Sequence, residues 1–375
     1  MKDILIITWT PITRFSFERV YGFNDLENDF NLTIFDVSRL IFKTHLHNLY
    51  DKRGKITSIS INSYNEINKY IRKKDFKIII NLTGIWETHL LYKEIIKKNI
   101  PIINLINSPL FKDYFYPKKI LNYLKYISKF LTTNIIPLSK NFIGGRNFNN
   151  YYNSIKSEIF YSHSLNYNEY LINRRFIKKE KKSKKIISFI DSGFKFHPDF
   201  YLNKNRKIDK NKNFNIKKFS KKINKLFKDF ADLGYEINFL SHPKIKKKHQ
   251  KIYMNCNKVY SKTLEYIKKS DIVICCGSST IEHAILFKKP ILIIDSKEID
   301  AYPVVKRNIK LHNKFFEKKA FDLGLYKSIY EYEQNLILPS SKYREYFDMF
   351  IKHPKSKNYT YSNLIRKLIK NNNEN

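Results

Sequence analysis

The stretch "DIVICCGSSTIEHAILFKKPILIID", residues 271–295, contains two short apolar runs separated by a turn and a segment of helical period. Both runs are continuous and rich in β-branched residues, which is typical of strands buried on both faces of a parallel sheet. A strand, a helix and a second strand in this order predict a βαβ unit. The stretch therefore indicates an α/β fold.

The same alternation extends through most of the chain. Further apolar runs lie at 186–191, 236–243 and 258–261, and in the first half at 4–9, 32–37, 76–82 and 101–106. Between the halves, "RRFIKKEKKSKK" is charged and has no period, which indicates an exposed linker. We predict two Rossmann-like domains that face a central cleft, with C-terminal helices that cross back. The predicted parts are a first domain at 1–175, a linker at 176–185, a second domain at 186–355, and a C-terminal helix and tail at 356–375.

The chain is strongly basic. Its 375 residues include 71 Lys and Arg against 34 Asp and Glu, which gives a formal net charge of +37. Such a charge favours anionic partners, for example nucleic acid, acidic lipid headgroups or phosphorylated sugars. AT-rich codon usage also enriches Lys, Ile and Asn, and we favour it for most of the lysine excess. Selection for a membrane surface stays open for the rest.

Cysteine usage and hydropathy indicate the compartment. Cys256, Cys275 and Cys276 form no CxxC pair, which argues for a reducing compartment and against a disulfide framework or a zinc site. The N-terminus has no signal-peptide pattern, and no apolar stretch approaches the roughly 18 residues that span a bilayer. We expect a cytoplasmic protein, at most peripheral at the inner face of the cytoplasmic membrane.

The loop "SHPK" follows a predicted strand and carries the first candidate site residue, His242. Ligands of open α/β folds bind at the carboxyl edge of the sheet, where this loop should lie. Pro243 fixes its own φ and restricts His242, so the imidazole would be held. A held imidazole can donate a hydrogen bond to a phosphate oxygen. The alternative is that the His-Pro pair only ends a strand.

A second candidate anion site lies in the opening stretch. Gly277, Ser278, Ser279 and Thr280 follow a strand and begin a helix, so hydroxyls and free N–H groups would meet at the positive end of the helix dipole. Simple N-capping by Ser279 or Thr280 is the alternative. Glu282, in the first turn, would accept from ligand hydroxyls or only favour the dipole. The run is neither a Walker A loop nor a GxGxxG motif.

"SHPK" followed by "SSTIEHAILFKKP" resembles the nucleotide-binding half of GT-B glycosyltransferases. It looks most like bacterial enzymes that use CMP-activated sugars, the sialyltransferases and capsule Kdo transferases. The resemblance covers residues 185–300 at most, and its motifs are short. In those families the histidine and the two serine hydroxyls bind the CMP phosphate, which implies this role for His242, Ser278 and Ser279. It implies no metal and no cofactor, because these groups stabilise the departing phosphate.

The stretch "FIDSGFKFHPDF", 189–200, supplies candidate bases. The resembling sialyltransferases have a [DE]-[DE]-G motif whose first carboxylate is the general base, and this chain matches it only as D-S-G. The resemblance therefore implies Asp191 as a base candidate. Asp199, a carboxylate in the same loop, is a second candidate, since either could deprotonate an acceptor hydroxyl. His197 is a candidate contact for the donor or the acceptor. The alternative is a turn in which Asp191 bonds its own backbone.

Two loops of the first half should also face the cleft. Arg14 in "TWTPITRF" could meet an anionic acceptor or donor carboxylate in a planar fork geometry. Glu87 in "LTGIWETH" is a spare acid or base. Ordinary loop polarity and helix capping are the alternatives, and we favour them for both residues.

These observations favour an inverting, metal-independent glycosyltransferase. Its donor would be a CMP-activated nonulosonic acid, such as sialic, legionaminic or pseudaminic acid, or Kdo, and its acceptor a bacterial surface glycan of capsule, lipopolysaccharide or O-antigen. Alternatives within the enzymes are a UDP-sugar transferase, a nucleotide-sugar 2-epimerase and a glycerophosphotransferase. The alternatives that are not enzymes are a basic nucleic-acid-binding protein and a GT-B-shaped partner subunit without catalysis. The expected partners are a nucleotide sugar, a glycan or glycolipid acceptor and anionic inner-membrane lipid, with no specific nucleic acid.

Overall fold

The chain forms two units in the computed structural model. The first unit comprises Met1–Asn173 and Asp348–Asn375, and the second Arg174–Phe347. The structure describes residues 2–9, 12–42, 56–82, 98, 100–106, 139–144, 158–176, 184–197 and 214–374.

Each unit is built on a parallel sheet. The strands of the first unit are β1 (Lys2–Thr8), β2 (Phe30–Asp36), β3 (Ile56–Ser60), β4 (Phe76–Asn81), β5 (Ile102–Ile106), β6 (Ser139–Gly144) and β7 (Glu158–Ser162). Those of the second unit are β8 (Lys185–Ile190), β9 (Tyr235–Leu240), β10 (Asn257–Val259), β11 (Ile272–Cys275), β12 (Ile291–Asp295) and β13 (Phe321–Asp322).

The helices follow the strands in the alternation that the sequence predicts. In chain order they are α1 (Ser38–Phe42), α2 (Tyr64–Lys73), α3 (Leu165–Asn173), α4 (Ile216–Asp232), α5 (Thr263–Lys269), α6 (Ile281–Leu286), α7 (Pro303–Phe316), α8 (Tyr332–Asn335), α9 (Ser341–Tyr346) and α10 (Tyr361–Glu374). Polar side chains begin several of them, for example α2 and α4. The Ser63 hydroxyl accepts the N–H of Glu66 at 3.2 Å, and the Asn215 amide oxygen accepts the N–H of Lys218 at 3.0 Å.

The strand orders are those of doubly wound sheets. The first sheet runs β3-β2-β1-β4-β5-β6-β7, and the second runs β10-β9-β8-β11-β12-β13. In both, the chain adds strands first on one side of the initial strand and then on the other, which is the Rossmann arrangement. The predicted fold class, two Rossmann-like domains with parallel α/β sheets, is confirmed.

Burial on both faces explains the continuous apolar runs. In β1, Ile4 and Ile6 lie in one core cluster of the first unit, whereas Leu5 and Ile7 lie in the other. Successive side chains of a strand point to opposite faces of the sheet. A strand covered on both faces therefore needs apolar residues at every position, which is the pattern visible in the sequence.

The chain returns to the first unit after α9, and this corrects two predicted boundaries. Residues 348–355 were assigned to the second domain and 356–375 to a separate helix and tail, but both belong to the first unit. The reason is packing, because Tyr361, Ile365 and Leu368 of α10 lie in one core cluster with Phe23 and Leu26.

Polar contacts hold α10 in place. The Tyr361 hydroxyl donates to the carbonyl oxygen of His163 at 2.7 Å, and its ring stacks on the imidazole with centroids 5.0 Å apart. The Tyr361 N–H donates to the Asn168 side-chain oxygen at 2.8 Å.

In the residues that the structure describes, no helix is long and apolar enough to cross a bilayer.

Candidate functional site

The carboxyl edge of the second sheet gathers most of the predicted site residues. The neighbouring strands β9, β8 and β11 end at Leu240, Ile190 and Cys275. Asp191 follows β8 directly, and His242 lies two residues beyond β9. The strand order reverses beside β8, and ligands of doubly wound sheets bind at such a switch point. The structure therefore brings the two residues to the expected edge.

Asp191 is a buried carboxyl group held by two backbone N–H groups. Its side chain accepts the N–H of Gly193 at 2.8 Å and faces the N–H of His242 at 3.4 Å. Burial raises the pKa of Asp191 to about 6, while these two N–H groups act in the opposite direction. A carboxyl group with this pKa can accept a proton near neutral pH. The predicted turn, in which Asp191 bonds its own backbone, is also present.

The loop after β8 folds back tightly. Gly193 has φ of +69°, and a Cβ atom there would lie 2.5 Å from Ile245 Cδ1 and 3.2 Å from His197 Cβ. The Gly193 carbonyl oxygen accepts the N–H of His197 at 2.8 Å. Lys195 also has a left-handed φ, +69°, and its N–H donates to the Tyr302 hydroxyl at 2.7 Å. These contacts position the His197 ring beside the end of β9.

His197 and His242 form a close imidazole pair. Their Nε2 atoms are 3.0 Å apart, and the rings meet edge to face with centroids 4.2 Å apart. The Lys244 N–H points at the Nδ1 atom of His242 at 3.2 Å. Burial lowers the pKa of His242 well below its ordinary value, and the charges of His197 and Lys244 lower it further. The sequence predicted both histidines as site residues but not their contact.

The turn after β11 is tightly packed. Gly277 has φ of +69°, and a Cβ atom there would lie 3.1 Å from the backbone nitrogen of Ile309 and 3.2 Å from Asn308 Cβ. Glycine is therefore required by conformation and by the approach of α7. Ser278 is half-buried and its hydroxyl faces the N–H of Thr280 at 3.3 Å.

The predicted set of free N–H groups at the start of α6 is not present. The carbonyl oxygens of Ser278, Ser279 and Thr280 accept the N–H groups of the residues three positions later at 3.0 to 3.2 Å. The N–H groups of Gly277 and Ser278 donate to the Cys275 sulfur. The helix has only six residues, and Thr280 makes no side-chain cap. Anion binding here therefore depends on the hydroxyls of Ser278 and of Ser279, which is exposed.

Glu282 lies in the interior of the second unit. It is 2% exposed, and its charge contributes to the raised pKa of the buried Tyr346 hydroxyl in α9. The structure places this carboxyl group among buried side chains, so its side chain is withdrawn from the surface where ligand hydroxyls would be bound.

The remaining predicted residues are Arg14 in the first unit, Pro243 next to His242, and two residues outside the described ranges. Arg14 belongs to the first unit, where it is largely exposed and its Nε donates to Glu18 Oε1 at 2.6 Å. Pro243 is exposed in a turn closed by the bond from the Ile245 N–H to the His242 carbonyl oxygen, 3.0 Å. Asp199 and Glu87 lie outside the described residues, so their roles stay predictions.

A basic cavity of about 710 Å³ lies in the second unit beside the loop after β8. It is lined by Lys195, Phe214, Asn215, Ile216, Lys217, Lys218, Lys297, Glu298, Asp300 and Ala301. Its two carboxylates have lysine partners outside this lining, since Glu298 pairs with Lys222 at 2.8 Å and Asp300 with Lys306 at 2.9 Å. A cavity of this size can hold a small organic ligand. Sequence reasoning missed it because three distant segments build it.

Gln250 and Tyr253 also support the edge, and sequence reasoning missed both. The Ser241 hydroxyl donates to the Gln250 side-chain oxygen at 2.8 Å, which ties the end of β9 to the following loop. Burial raises the pKa of the Tyr253 hydroxyl, and the nearby Asp191 and Cys276 raise it further. No sequence motif marks either residue.

Within the described ranges, no group of three or more His, Cys, Asp and Glu side chains is arranged to hold a metal ion.

Comparisons with known proteins agree on the fold. The sequence matches no protein-family model, and no curated protein aligns with it significantly. Among solved structures, the wall teichoic acid polymerase TagF aligns over 99% of this chain and 90% of its own, with 14% identity and a TM-score of 0.54. The UDP-GlcNAc 2-epimerase of Methanocaldococcus jannaschii aligns over 98% and 99%, with 13% identity and a TM-score of 0.51. S. aureus MnaA, solved with UDP, aligns over 100% and 97%, with 13% identity and a TM-score of 0.50. At these identities the likeness shows a shared fold, and the chain has the two-domain GT-B fold of these proteins.

Proposed function

We propose that the chain is an inverting glycosyltransferase that moves a sugar from a nucleotide-activated donor to a glycan acceptor. The observation that carries the proposal is the junction of Asp191 and His242, which lie at the carboxyl ends of two adjacent strands with the carboxylate 3.4 Å from the His242 N–H. A base candidate and a phosphate-ligand candidate thus occupy one edge of the sheet.

Each residue has a defined part in this reaction. Asp191, or Asp199, takes the proton of the acceptor hydroxyl as the hydroxyl oxygen attacks the anomeric carbon. The bond from that carbon to the leaving phosphate breaks, and the phosphate gains negative charge. His242 and the hydroxyls of Ser278 and Ser279 donate hydrogen bonds to it, which stabilises the charge as it develops. In this proposal the phosphate is stabilised without a metal ion or cofactor.

The favoured donor is a CMP-activated nonulosonic acid or Kdo, and the favoured acceptor a bacterial capsule, lipopolysaccharide or O-antigen glycan. The His-Pro and Ser-Ser motifs support CMP, because the enzymes that they resemble use it. The basic cavity supports an anionic ligand, since Lys217, Lys218 and Lys297 have no carboxylate partner among the described residues.

The test is a donor panel. Purified protein is screened for thermal stabilisation by CMP, UDP, CDP and GDP, because a ligand that binds only the folded state raises the melting temperature. Release of the nucleotide is then measured with CMP-, UDP- and CDP-linked donors. CMP binding and CMP release support the proposal; turnover of only a UDP-sugar or CDP-glycerol contradicts the proposed donor.

Variants assign the residues. His242→Ala should abolish CMP binding, whereas Lys246→Ala, which alters an exposed lysine of the same loop, should leave it unchanged. Asp191→Asn should lower turnover about 100-fold or more if Asp191 is the base. Unchanged CMP binding in the His242 variant would refute its assigned role, and unchanged turnover in the Asp191 variant would shift the base to another residue.

A second candidate function is the 2-epimerisation of a nucleotide sugar. The alignment over 98% of this chain and 99% of the M. jannaschii UDP-GlcNAc 2-epimerase supports it. Incubation with UDP-GlcNAc alone separates the two, since an epimerase changes the configuration at C2 without any acceptor. A non-enzymatic nucleic-acid-binding role would instead show RNA binding with a steep salt dependence and no turnover of any donor.

A further inference from the structure

The hydrogen bonds of His242 define its protonation. Its Nδ1 atom lies 3.2 Å from the backbone N–H of Lys244, which can only donate. Nδ1 must therefore be the acceptor and carry no proton. The ring is then neutral, with its proton on Nε2, which agrees with the burial that disfavours its charged form.

The same argument extends to His197. The Nε2 atoms of the two rings are 3.0 Å apart, which is a hydrogen-bond distance. Because His242 carries its proton on Nε2, this nitrogen donates and Nε2 of His197 accepts. The two Nε2 atoms thus share a single proton. In this state the Nε2–H group of His242 is directed at His197, and Nε2 of His197 carries no proton.

An incoming phosphate changes this balance. Phosphate oxygens accept hydrogen bonds, and the Nε2–H group of His242 is already engaged by His197. If Nε2 of His197 gains a proton, the bond between the rings is lost and both nitrogens become donors. Two N–H groups 3.0 Å apart repel unless an anion lies against both, so protonation and anion binding favour each other.

We infer that His197 is the second imidazole of the phosphate site and that binding of a phosphate takes up one proton. The proton comes from solvent and adds to Nε2 of His197; the hydrogen bond between the rings breaks, and each Nε2–H group donates to phosphate oxygen. No covalent bond changes. The inference rests on the proposed function, in that it assigns the donor phosphate to this edge of the sheet.

Charged groups near the imidazole pair make its uptake of a proton depend on a bound anion. The loop after β9 contributes Lys244, whose charge opposes a second positive charge beside His242. The loop after β8 contributes the Asp191 carboxyl and Lys195, and His249 stacks on Phe196 from the following short helix with centroids 4.1 Å apart. A bound phosphate supplies negative charge directly at the pair.

The test is NMR of the imidazole nitrogens in protein labelled with ¹⁵N-histidine, at pH 7.5. Without phosphate, His242 should show the Nε2–H tautomer and His197 an unprotonated Nε2. Inorganic phosphate should shift the Nε2 signal of His197 to the protonated range, whereas sodium chloride at the same ionic strength should not. Phosphate that leaves both rings in their starting states would overturn the inference.

The variant His197→Gln separates the positioning of His242 from the titration of residue 197. Its side-chain oxygen can accept the His242 hydrogen bond, but the amide cannot gain a proton. His197→Gln should therefore bind inorganic phosphate about tenfold more weakly or worse, and proton uptake, measured by calorimetry in buffers of different ionisation enthalpy, should be about one proton lower than in the wild-type protein. Proton uptake equal to that of the wild-type protein would contradict the assignment.

The outcome with CMP distinguishes the two proposals. If CMP fails to bind while inorganic phosphate still protonates His197, the proposed donor is refuted and the imidazole pair stands. If CMP binds and neither ring changes its protonation, the donor stands and the pair is refuted.

Discussion

The pKa of Asp191 is determined by opposing effects. Two backbone N–H groups favour its ionised form, yet burial raises its pKa to about 6. Burial therefore outweighs the hydrogen bonds. The sequence predicts that Asp191 follows a strand, but the balance of solvation and hydrogen bonding depends on the loops that close over it.

This pKa has a consequence for stability. A carboxyl group whose pKa is raised from 3.8 to about 6 in the folded state holds a proton that the unfolded chain has already lost. Its contribution is therefore present at low pH and is lost as the pH rises through about 6. Relative to Asp191→Asn, the wild-type protein should lose about 2 kcal/mol of unfolding free energy between pH 4 and pH 7. Denaturant titrations of both proteins at the two pH values test this, and a constant difference would contradict it.

Gly277 gives a second prediction at the scale of one residue. Gly277→Ala places a Cβ atom in a left-handed conformation and 3.1 Å from the Ile309 backbone nitrogen. Gly234 has φ of +83° but nothing within 4 Å of its Cβ position, so Gly234→Ala isolates the conformational effect. We expect a loss of about 1 kcal/mol at 234 and a larger loss at 277, measured by urea unfolding. Equal losses would show that α7 relaxes without penalty.

For the site, the sheet edge on which the residues lie was predictable, but their contacts with one another were not. Asp191 and His242 could be assigned to one edge because the carboxyl ends of parallel strands meet. The contact between His197 and His242 could not, since it depends on the left-handed φ of Gly193 and the close packing of Ile245. The donors at the start of α6 were mispredicted because sequence does not reveal which N–H groups the turn itself uses.

At the scale of elements, the central strands were predictable and several others were not. β1, β2, β4, β8, β9, β11 and β12 are apolar runs buried on both faces. The missed strands are β3 "ITSIS", β6 "SKNFIG", β7 "EIFYS" and β13 "FD". Except for β6, these lie at sheet edges, and all four are short or polar. Edge strands need less apolar surface, so hydrophobic pattern marks them weakly.

The C-terminal helix α10 provides a prediction about packing. Ile365 is fully buried in a core cluster of the first unit, whereas Lys370 is exposed on the same helix. Ile365→Ala removes buried methyl groups and leaves a cavity, so it should destabilise the first unit by about 2 to 5 kcal/mol. Lys370→Ala should change little. Chemical denaturation checks both, and equal small effects would show that α10 is not part of the folded core.

At the scale of the whole molecule, the two-domain organisation was predictable, and the path of the chain was only partly so. Alternating strands and helices on each side of a charged run indicate two sheets. The end of the second unit at Phe347 could not be read from the sequence, because the segments on both sides of it are helical and amphipathic. Only the residues that pack against α10 show that this helix belongs to the first unit.

The net charge of +37 gives a prediction for the intact protein. We propose that it supports peripheral binding to anionic membrane lipid at the inner face of the cytoplasmic membrane. The protein should sediment with phosphatidylglycerol vesicles at low salt and be released near 1 M salt, where the Debye length falls to about 3 Å. Vesicles of phosphatidylcholine alone are the control. Equal binding to both, or to neither, would leave codon usage as the explanation of the charge.

The return of the chain to the first unit determines the order in which the protein can be assembled during synthesis. The Ser362 hydroxyl donates to the carbonyl oxygen of Gly22, which lies 340 positions earlier. The first unit therefore lacks part of its core until residues 361–369 have been synthesised. The second unit, Arg174–Phe347, has its complete sequence earlier. A chain that ends at Phe347 thus contains the whole second unit, whereas its first unit lacks the α10 side chains that pack with Phe23 and Leu26.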